Sequence, residues 1–277
     1  MTINTLPDDA LLEIFNRYRE DQLYFFTWWW KSLAHVCRRW RRIVFASPGH
    51  LHLLLACNGS TPTTTSLDIW PSFPIAITCF PWHAQTEGGI ENIIAALSCR
   101  DRVSEITFDG LKDSVFEKFA AVMQEPLPAL TYLRLASRDG AALVLPDSFL
   151  GGSAAGLRSF TLVGISFPTF PSFVLSANHL IALRLWDIPD AGYISPEKMA
   201  TCLAALPNLE ALFIGFLLPR PRLVQINPPL PTRTLLPYLS HFAFRGHSGY
   251  LEDLRARLNT PSMNEIEIHD IFQSPHH

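Results

Sequence analysis

The stretch "LTYLRL" at residues 130–135 places apolar side chains at its first, fourth and sixth positions. The apolar residues at the fourth and sixth positions alternate with polar ones, which is the two-residue period of a β-strand that buries one face. The same pattern occurs seven times, with starts 23 to 30 residues apart. The matches are VSEITF (103–108), LTYLRL (130–135), LRSFTL (157–162), LIALRL (180–185), LEALFI (209–214), LSHFAF (239–244) and MNEIEI (263–268). Seven matches at similar spacing predict a repeated structural unit, and each repeat contains one strand.

Helical patterns lie between some of these strands. They include "SVFEKFAAVM" (114–123) and "SPEKMATCLAAL" (195–206), where Ser195 suits a helix cap and Pro196 the first helical position. Strands joined by such connections predict a parallel sheet, and no unit can bury its apolar face without its neighbours. The predicted fold class is therefore α/β.

This pattern resembles that of leucine-rich-repeat proteins, whose repeats are roughly 20–29 residues long. The resemblance implies a solenoid of about seven repeats over residues 90–277. We expect residues 58–89 to form a spacer and an N-terminal cap, with a strand at "PIAITCF" (74–80). The chain departs from the standard repeat because the usual asparagine or cysteine after the strand is missing.

Side chains that alternate with the buried positions are predicted to project from the open face of the sheet. Aromatic residues and arginines dominate the energetics of protein interfaces. The predicted partner-binding residues are Tyr132, Arg134, Arg184, Trp186, Phe213 and Arg245, and the same face would carry His241, Glu265, Glu267 and His269. Trp186 and Phe213 are the most informative, although a loop or the C-terminal segment could instead cover them.

A second unusual stretch, "FFTWWWKSLAHVCRRWRRIVF", spans residues 25–45. On a single helix over 32–45, the apolar residues from Leu33 to Val44 share one face and the four arginines share the other. Tryptophans opposite the arginines do not form the stacking platform of a nucleic-acid site, so we expect solvated arginines. The apolar run is also far shorter than the roughly 20 residues that span a bilayer. Docking of another protein is the favoured interpretation.

A shorter helix is predicted from "LPDDALLEIFNRY" (6–18), where Pro7, Asp8 and Asp9 suit a first turn. Its apolar side chains exceed what one face of a short helix can hide. A helical pair of under about 50 residues rarely makes an adequate core alone. The following domain or a partner must therefore cover the surplus.

Together, "LPDDALLEIF" (6–15) and "WKSLAHVCRRWRRI" (30–43) resemble the F-box, a helical motif that docks onto a Skp-type adaptor of cullin ubiquitin ligases. The resemblance covers residues 3–47, and we predict F-box helices over residues 1–57. It implies that some residues face the adaptor or hold the helices that do: Leu6, Pro7, Leu11, Ile14, Phe15, Val36 and Trp40. The alternative is that all of them pack against the following domain. We expect the tryptophans to brace the module and its junction.

An F-box followed by divergent leucine-rich repeats resembles the substrate receptors of Skp–cullin–F-box ubiquitin ligases, which are numerous in fungi. The implied partners are the adaptor, a cullin bound through it, and an unidentified target protein on the repeat surface. The alternative function is a protein-binding scaffold outside any ligase, whose F-box-like helices only cap the solenoid.

Composition and motifs predict no catalytic role. The net charge of −3 gives no pull toward nucleic acid or an anionic membrane, so neither is an expected partner. Five scattered cysteines without a CxxC pair, and an acidic start instead of a signal peptide, favour the cytoplasm or nucleus. No histidines have the spacing of a zinc site, and Cys202 lies in a helical pattern that predicts core packing. We therefore expect neither enzymatic activity nor a metal or cofactor.

Overall fold

The chain begins with a small group of helices. The computed structural model describes residues 3–21, 29–84, 86–138, 143–217, 233–263 and 265–272. After a 3-10 turn at Ile3–Thr5 come α1 (Asp8–Asp21), α2 (Trp29–Val36) and α3 (Arg38–Ala46). Helix α1 starts directly after Pro7 and has Asp8 and Asp9 in its first turn, as predicted.

The predicted single helix over residues 32–45 is wrong, because the structure breaks it at Cys37. The backbone of Cys37 is extended, with φ −158° and ψ 170°, and its Sγ accepts a hydrogen bond from the Trp40 amide at 3.5 Å. Cys37 is therefore the cap of α3. Val36 and Cys37, placed on the apolar face by the helical wheel, are both exposed. Trp40 packs instead on Phe15 of α1, with ring centroids 4.8 Å apart.

A parallel sheet follows these helices. Its strands are β1 (Leu55–Cys57), β2 (Ile75–Cys79), β3 (Val103–Leu111), β4 (Tyr132–Ser137), β5 (Ser159–Val163), β6 (Ala182–Ile188), β7 (Ala211–Phe216), β9 (His241–His247) and β11 (Glu265–Phe272). Over the described residues these nine strands lie side by side in chain order, and every pairing is parallel. Two short strands, β8 (Thr234–Leu235) and β10 (Leu258–Asn259), pair separately. All seven repeat matches contribute a strand to the large sheet, which confirms the α/β class.

Helices cover one face of this sheet. They are α4 (Thr63–Ile69), α5 (Glu87–Leu97), α6 (Asp113–Val122), α7 (Phe170–Val174), α8 (Pro196–Ala204) and α9 (Ser248–Arg257). Phe108 of β3 packs on Phe119 of α6, with centroids 4.8 Å apart, and Phe244 of β9 stacks on Tyr250 of α9 at 5.7 Å. Ser195 caps α8 as predicted, because its hydroxyl accepts a hydrogen bond from the Lys198 amide. No described helix covers the opposite face of the sheet, which we call the open face.

Trp30 joins the N-terminal helices to the start of the sheet. Its side chain is fully buried, and its indole nitrogen donates to the carbonyl of Leu54 at 2.9 Å. Trp70 and Phe73 meet its ring edge to face, at 5.2 and 5.5 Å. One hydrophobic core consequently runs from α1 to the last helix. The predicted domain boundary after residue 57 stays a prediction, and β1 lies just before it.

Candidate docking surfaces

The apolar side chains of the N-terminal helices divide into two groups. Leu11 and Phe15 are buried, at 0% and 1% exposure, so they hold the helices together. Leu6 and Trp40 are half-buried at the edge of this core. The other three predicted adaptor-binding residues, Pro7, Ile14 and Val36, face solvent. The structure therefore leaves only part of the predicted set available to a partner.

The exposed residues belong to what we call the N-terminal apolar surface, formed by Ile3, Pro7, Ile14, Tyr18 and Val36. Its large side chains are 37–58% exposed. Pro7, Ile14 and Tyr18 follow the spacing of one helical stripe. Ile3 and Tyr18 were not predicted, although Tyr18 follows Ile14 by four residues and this spacing could have revealed it. The ring of Tyr18 contacts that of Trp29, with centroids 6.4 Å apart, so Ile3, Ile14 and Val36 are the more accessible large side chains beside the core.

An ion-pair cluster fixes α3 against the start of α1. The carboxylate of Asp8 accepts hydrogen bonds from Arg39, through Nε at 2.9 Å and Nη2 at 2.7 Å, and from Arg42 at 3.2 Å. Arg39 also donates to the carbonyl of Leu6. The hydrogen bond from Arg39 is the main reason why the pKa of Asp8 is lowered. These contacts place the junction of α2 and α3, which carries Val36, beside the first turn of α1.

The arginines were predicted to be solvated, and this is wrong for Arg39, which is half-buried. Arg41 is exposed, yet its Nε donates to the carbonyl of Ala34 at 2.9 Å and bridges the break between α2 and α3. No sequence signal identifies these partners, because Asp8 and Arg39 are 31 positions apart. They meet only because the helices fold back on each other.

The predicted partner-binding residues do share the open face of the sheet. The parallel register aligns Thr107, Arg134, Thr161, Arg184, Phe213, Ala243 and Glu267 in one row across the strands. A second row, two residues earlier, contains Glu105, Tyr132, Ser159, Ala182, Ala211 and His241. Tyr132, Arg134, Arg184, Trp186, Phe213 and Arg245 are all half-buried. The side chain of Glu265 lies outside what the structure describes.

Trp186 lies against the backbone of the neighbouring strand. A Cβ atom on Gly215 would come within 2.3 Å of its ring, so the indole occupies the place of a missing side chain. Phe213 and His269 flank it, each with centroids 6.1 Å away. His269 belongs to the last strand, so the C-terminal segment does reach Trp186 without burying it. The three rings form an aromatic shelf on the open face.

Two of the three arginines that the described strands place on this face are paired with carboxylates. Arg134 donates twice to Asp109, at 3.0 and 2.9 Å, and Arg245 donates to Asp187 at 3.0 Å. In the part of the chain that the structure describes, Arg184 has no carboxylate partner, and its guanidinium lies 4.8 Å above the ring of Phe213. A shallow groove of about 670 Å³ runs beside these groups, lined by Arg134, Val163, Trp186, Asp187, Arg245 and His269.

Glu105 lies on the same face toward the N-terminal helices. Its side chain is half-buried and lines a cleft of about 430 Å³, whose walls include His52, Leu53, Phe73 and Thr131. Burial raises the pKa of its carboxyl group, and no described cation pairs with it. The sequence alone does not single out Glu105, because an acidic residue on an open strand face carries no signal of its own.

Residues 3–48 match the F-box-like family model. This F-box-like domain comprises α1, α2 and α3, and the match confirms the resemblance of the N-terminal helices to the F-box. Domains of this family generally bind Skp-type adaptors, and the match suggests an adaptor-binding role in ubiquitin ligase complexes. No curated protein shows significant sequence similarity to the chain.

Membrane-spanning helices, metal clusters and reactive thiols are the other features to consider in the described residues. Within those ranges, no helix is long and apolar enough to cross a membrane. No three His, Cys, Asp or Glu side chains among the described residues are grouped to hold a metal ion. Burial raises the pKa of the thiols of Cys57, Cys79 and Cys202 to about 11, 12 and 11. These thiols are therefore protonated at neutral pH, as expected for Cys202 in the core.

Proposed function

We propose that this chain is the substrate-recognition subunit of a Skp–cullin–F-box ubiquitin ligase. The F-box-like domain binds a Skp-type adaptor through the N-terminal apolar surface, and through the adaptor a cullin. The open face of the sheet, which we propose is the inner surface of a leucine-rich-repeat solenoid, binds the target protein. The chain positions the target and has no catalytic activity of its own.

The observation that carries this proposal is the exposure of Ile14 and Val36 on a domain of the F-box-like family. Ile14 is 43% and Val36 58% exposed, whereas Leu11 and Phe15 beside them are buried. Exposed apolar side chains rimmed by polar ones mark protein interaction sites. The charged rim is present here, because Asp8, Arg39 and Arg42 surround the junction that carries Val36.

The test is co-purification of the full chain with a Skp-type adaptor, comparing wild type with Ile14→Asp. We expect Ile14→Asp to abolish capture, because a carboxylate in the centre of an apolar interface loses its hydration without a partner. Leu11→Asp is not informative, because Leu11 is fully buried and its replacement would unfold the helices.

Ile69→Asp is the matched control, since Ile69 is 67% exposed on α4, outside the F-box-like domain. We expect this variant to be captured like wild type. Unchanged capture of Ile14→Asp, or no capture of the folded wild type, would show that the N-terminal helices do not dock onto the adaptor.

The burial of Trp30 favours a second candidate, a binding scaffold whose N-terminal helices cover the first strands and nothing else. Trp30 contacts Leu54, Trp70 and Phe73, so α2 does have a structural role at this end of the sheet. The two candidates differ in the exposed stripe, which a simple cap does not need. Adaptor capture that depends on Ile14 distinguishes them.

A further inference from the structure

The open face carries two charged side chains that have no opposite charge beside them among the described residues. Arg184 stacks on Phe213 near the middle of the face, and Glu105 lies half-buried at its F-box end. Every other described arginine on this face has a carboxylate partner. Partly buried charges without partners cost stability, so a partner that supplies the missing opposite charges would relieve that cost.

The register fixes how far apart these two charges lie. The strand register aligns Glu105 of β3 with Tyr132, Ser159 and Ala182 on the next three strands. Arg184 follows Ala182 by two residues, so it is separated from Glu105 by three strand spacings and two residues along the strand. With strands about 4.8 Å apart and a rise of about 3.3 Å per residue, the two Cα atoms are roughly 16 Å apart. An extended peptide covers this distance in about four or five residues.

The arginines favour a carboxylate over a phosphate group. A phosphorylated side chain carries about −1.5 to −2 charges and is usually bound by a cluster of arginines. On this face Arg134 is held by Asp109 and Arg245 by Asp187, which leaves Arg184 as the one described arginine of the face without a carboxylate partner. The same two aspartates would repel a second anion. A single carboxylate is the anion that matches Arg184.

The aromatic shelf lies directly beside Arg184. Trp186 follows Arg184 by two residues on β6, and Phe213 supports the guanidinium from β7. A large apolar side chain next to the acidic residue of a ligand can therefore pack on Trp186 while the acid pairs with Arg184. Hot spots of this kind combine an aromatic anchor with a charge that is shielded from water.

We propose that the open face recognises an extended segment of the target protein in which an acidic residue and a basic residue are four or five positions apart. The acidic residue pairs with Arg184, the basic residue pairs with Glu105, and an apolar residue beside the acid packs on Trp186. This proposal rests on the proposed function, since it names the chemistry of the target that the receptor selects.

The test is selection of a phage-displayed library of random 12-residue peptides on the immobilised full chain. We expect wild type to enrich peptides with an acidic and a basic residue at this spacing. Arg184→Gln should lose the preference for the acidic residue and keep the basic one, and Glu105→Gln should do the reverse. Matched controls on the outer helix α9, Arg255→Gln and Glu252→Gln, should select the same peptides as wild type.

A synthetic copy of the strongest peptide then allows affinities to be compared by fluorescence anisotropy. Neutralising either charged residue of the peptide should weaken binding on the order of tenfold. Replacing its acidic residue with phosphoserine should give no gain, and a gain of about tenfold or more would overturn the assignment of a carboxylate.

Failure of this proposal and of the proposed function can be told apart. Peptides that bind wild type but not Trp186→Ala, with no charged pair at this spacing, would overturn the charge pairing and leave the open face as the target site. Peptides that bind Trp186→Ala, Arg184→Gln and Glu105→Gln as well as wild type would overturn both, because the open face would then not be the binding surface.

Discussion

Gly215 determines the shape of the open face at the scale of a single residue. Its missing side chain leaves room for the ring of Trp186, and the Cβ of Arg245 would lie at an ordinary contact distance of 3.5 Å from a Cβ added there. An indole that lies against backbone has fewer ways to move than one on a free strand surface. The aromatic shelf is therefore pre-organised, which lowers the entropic cost of binding.

We expect Gly215→Ala to lower the free energy of unfolding by about 1–3 kcal/mol, because the new methyl group overlaps the indole. The measurement is urea denaturation of wild type, Gly215→Ala, Trp186→Ala and the double variant. In the Trp186→Ala background the same substitution should cost almost nothing. An equal loss of unfolding free energy in both backgrounds would show that the new methyl group does not clash with the indole.

Gly88→Ala provides the control, because nothing lies within 4 Å of a Cβ added at Gly88. This residue is in the first turn of α5, where alanine is the better helix former. We expect a gain in the free energy of unfolding of up to about 1 kcal/mol.

At the scale of elements, the break between α2 and α3 is the feature that shapes the F-box-like domain. Cys37 interrupts the helix, so α3 can turn its Trp40 toward Phe15 and its Arg39 toward Asp8. No glycine or proline marks this break. The contacts of α3 with α1 stabilise the bent arrangement over the continuous helix that local propensity favours.

The ion pairs of Asp8 make the contact between α1 and α3 dependent on pH. Because the pKa of Asp8 is lowered in the folded protein, chiefly by the hydrogen bond from Arg39, its stabilising effect is complete above the ordinary carboxyl pKa of about 3.9. The effect is lost as the pH falls through the lowered value. We expect wild type to be more stable than Asp8→Asn at pH 6, and this difference to shrink as the pH falls below the ordinary carboxyl pKa.

Thermal melts of both proteins across this pH range measure the difference. Asp9→Asn is the matched control, because Asp9 is exposed in the same helical turn and no ion pair is formed by it within the described residues. A difference for Asp8→Asn that does not shrink as the pH falls below the ordinary carboxyl pKa would mean that the carboxylate charge does not stabilise the contact.

At the scale of the whole molecule, the F-box-like domain and the sheet share one core through Trp30. The consequence for a substrate receptor is geometric. Under the proposed function, a target on the open face would keep a defined position relative to the adaptor only if the junction between the two parts is rigid. The hydrogen bond to Leu54 and the edge-to-face contacts with Trp70 and Phe73 provide this rigidity.

We expect Trp30→Ala to lower the free energy of unfolding by about 3–5 kcal/mol, because a fully buried indole leaves a large cavity and the Leu54 carbonyl loses its donor. Denaturant unfolding measures this loss. Trp82→Ala is the matched control, since Trp82 is 60% exposed and its ring contacts the half-buried Phe80 and His83, and we expect a loss below about 1 kcal/mol. Equal losses for the two variants would contradict a bracing role for Trp30.

Much of this architecture follows from local pattern. The repeated alternation of apolar and polar residues predicts seven strands of the large sheet, namely β3 to β7, β9 and β11. A strand with one buried face needs this alternation. Ser195 and Pro196 predict the start of α8 for an equally local reason. The order and spacing of Leu6, Pro7, Leu11, Ile14, Phe15, Val36 and Trp40 carry the resemblance to the F-box. The same two-residue period predicts which strand residues lie on the open face.

Tertiary structure alone decided which of those residues a partner can reach. It buried Leu11 and Phe15, exposed Ile14 and Val36, and broke the helix at Cys37. It also paired Arg134 with Asp109 and Arg245 with Asp187, and left Arg184 and Glu105 without described partners of opposite charge. The physical reason is that burial and charge pairing depend on distances between residues far apart in the chain. A periodic pattern specifies which face a side chain is on, and only the packed fold specifies what it meets there.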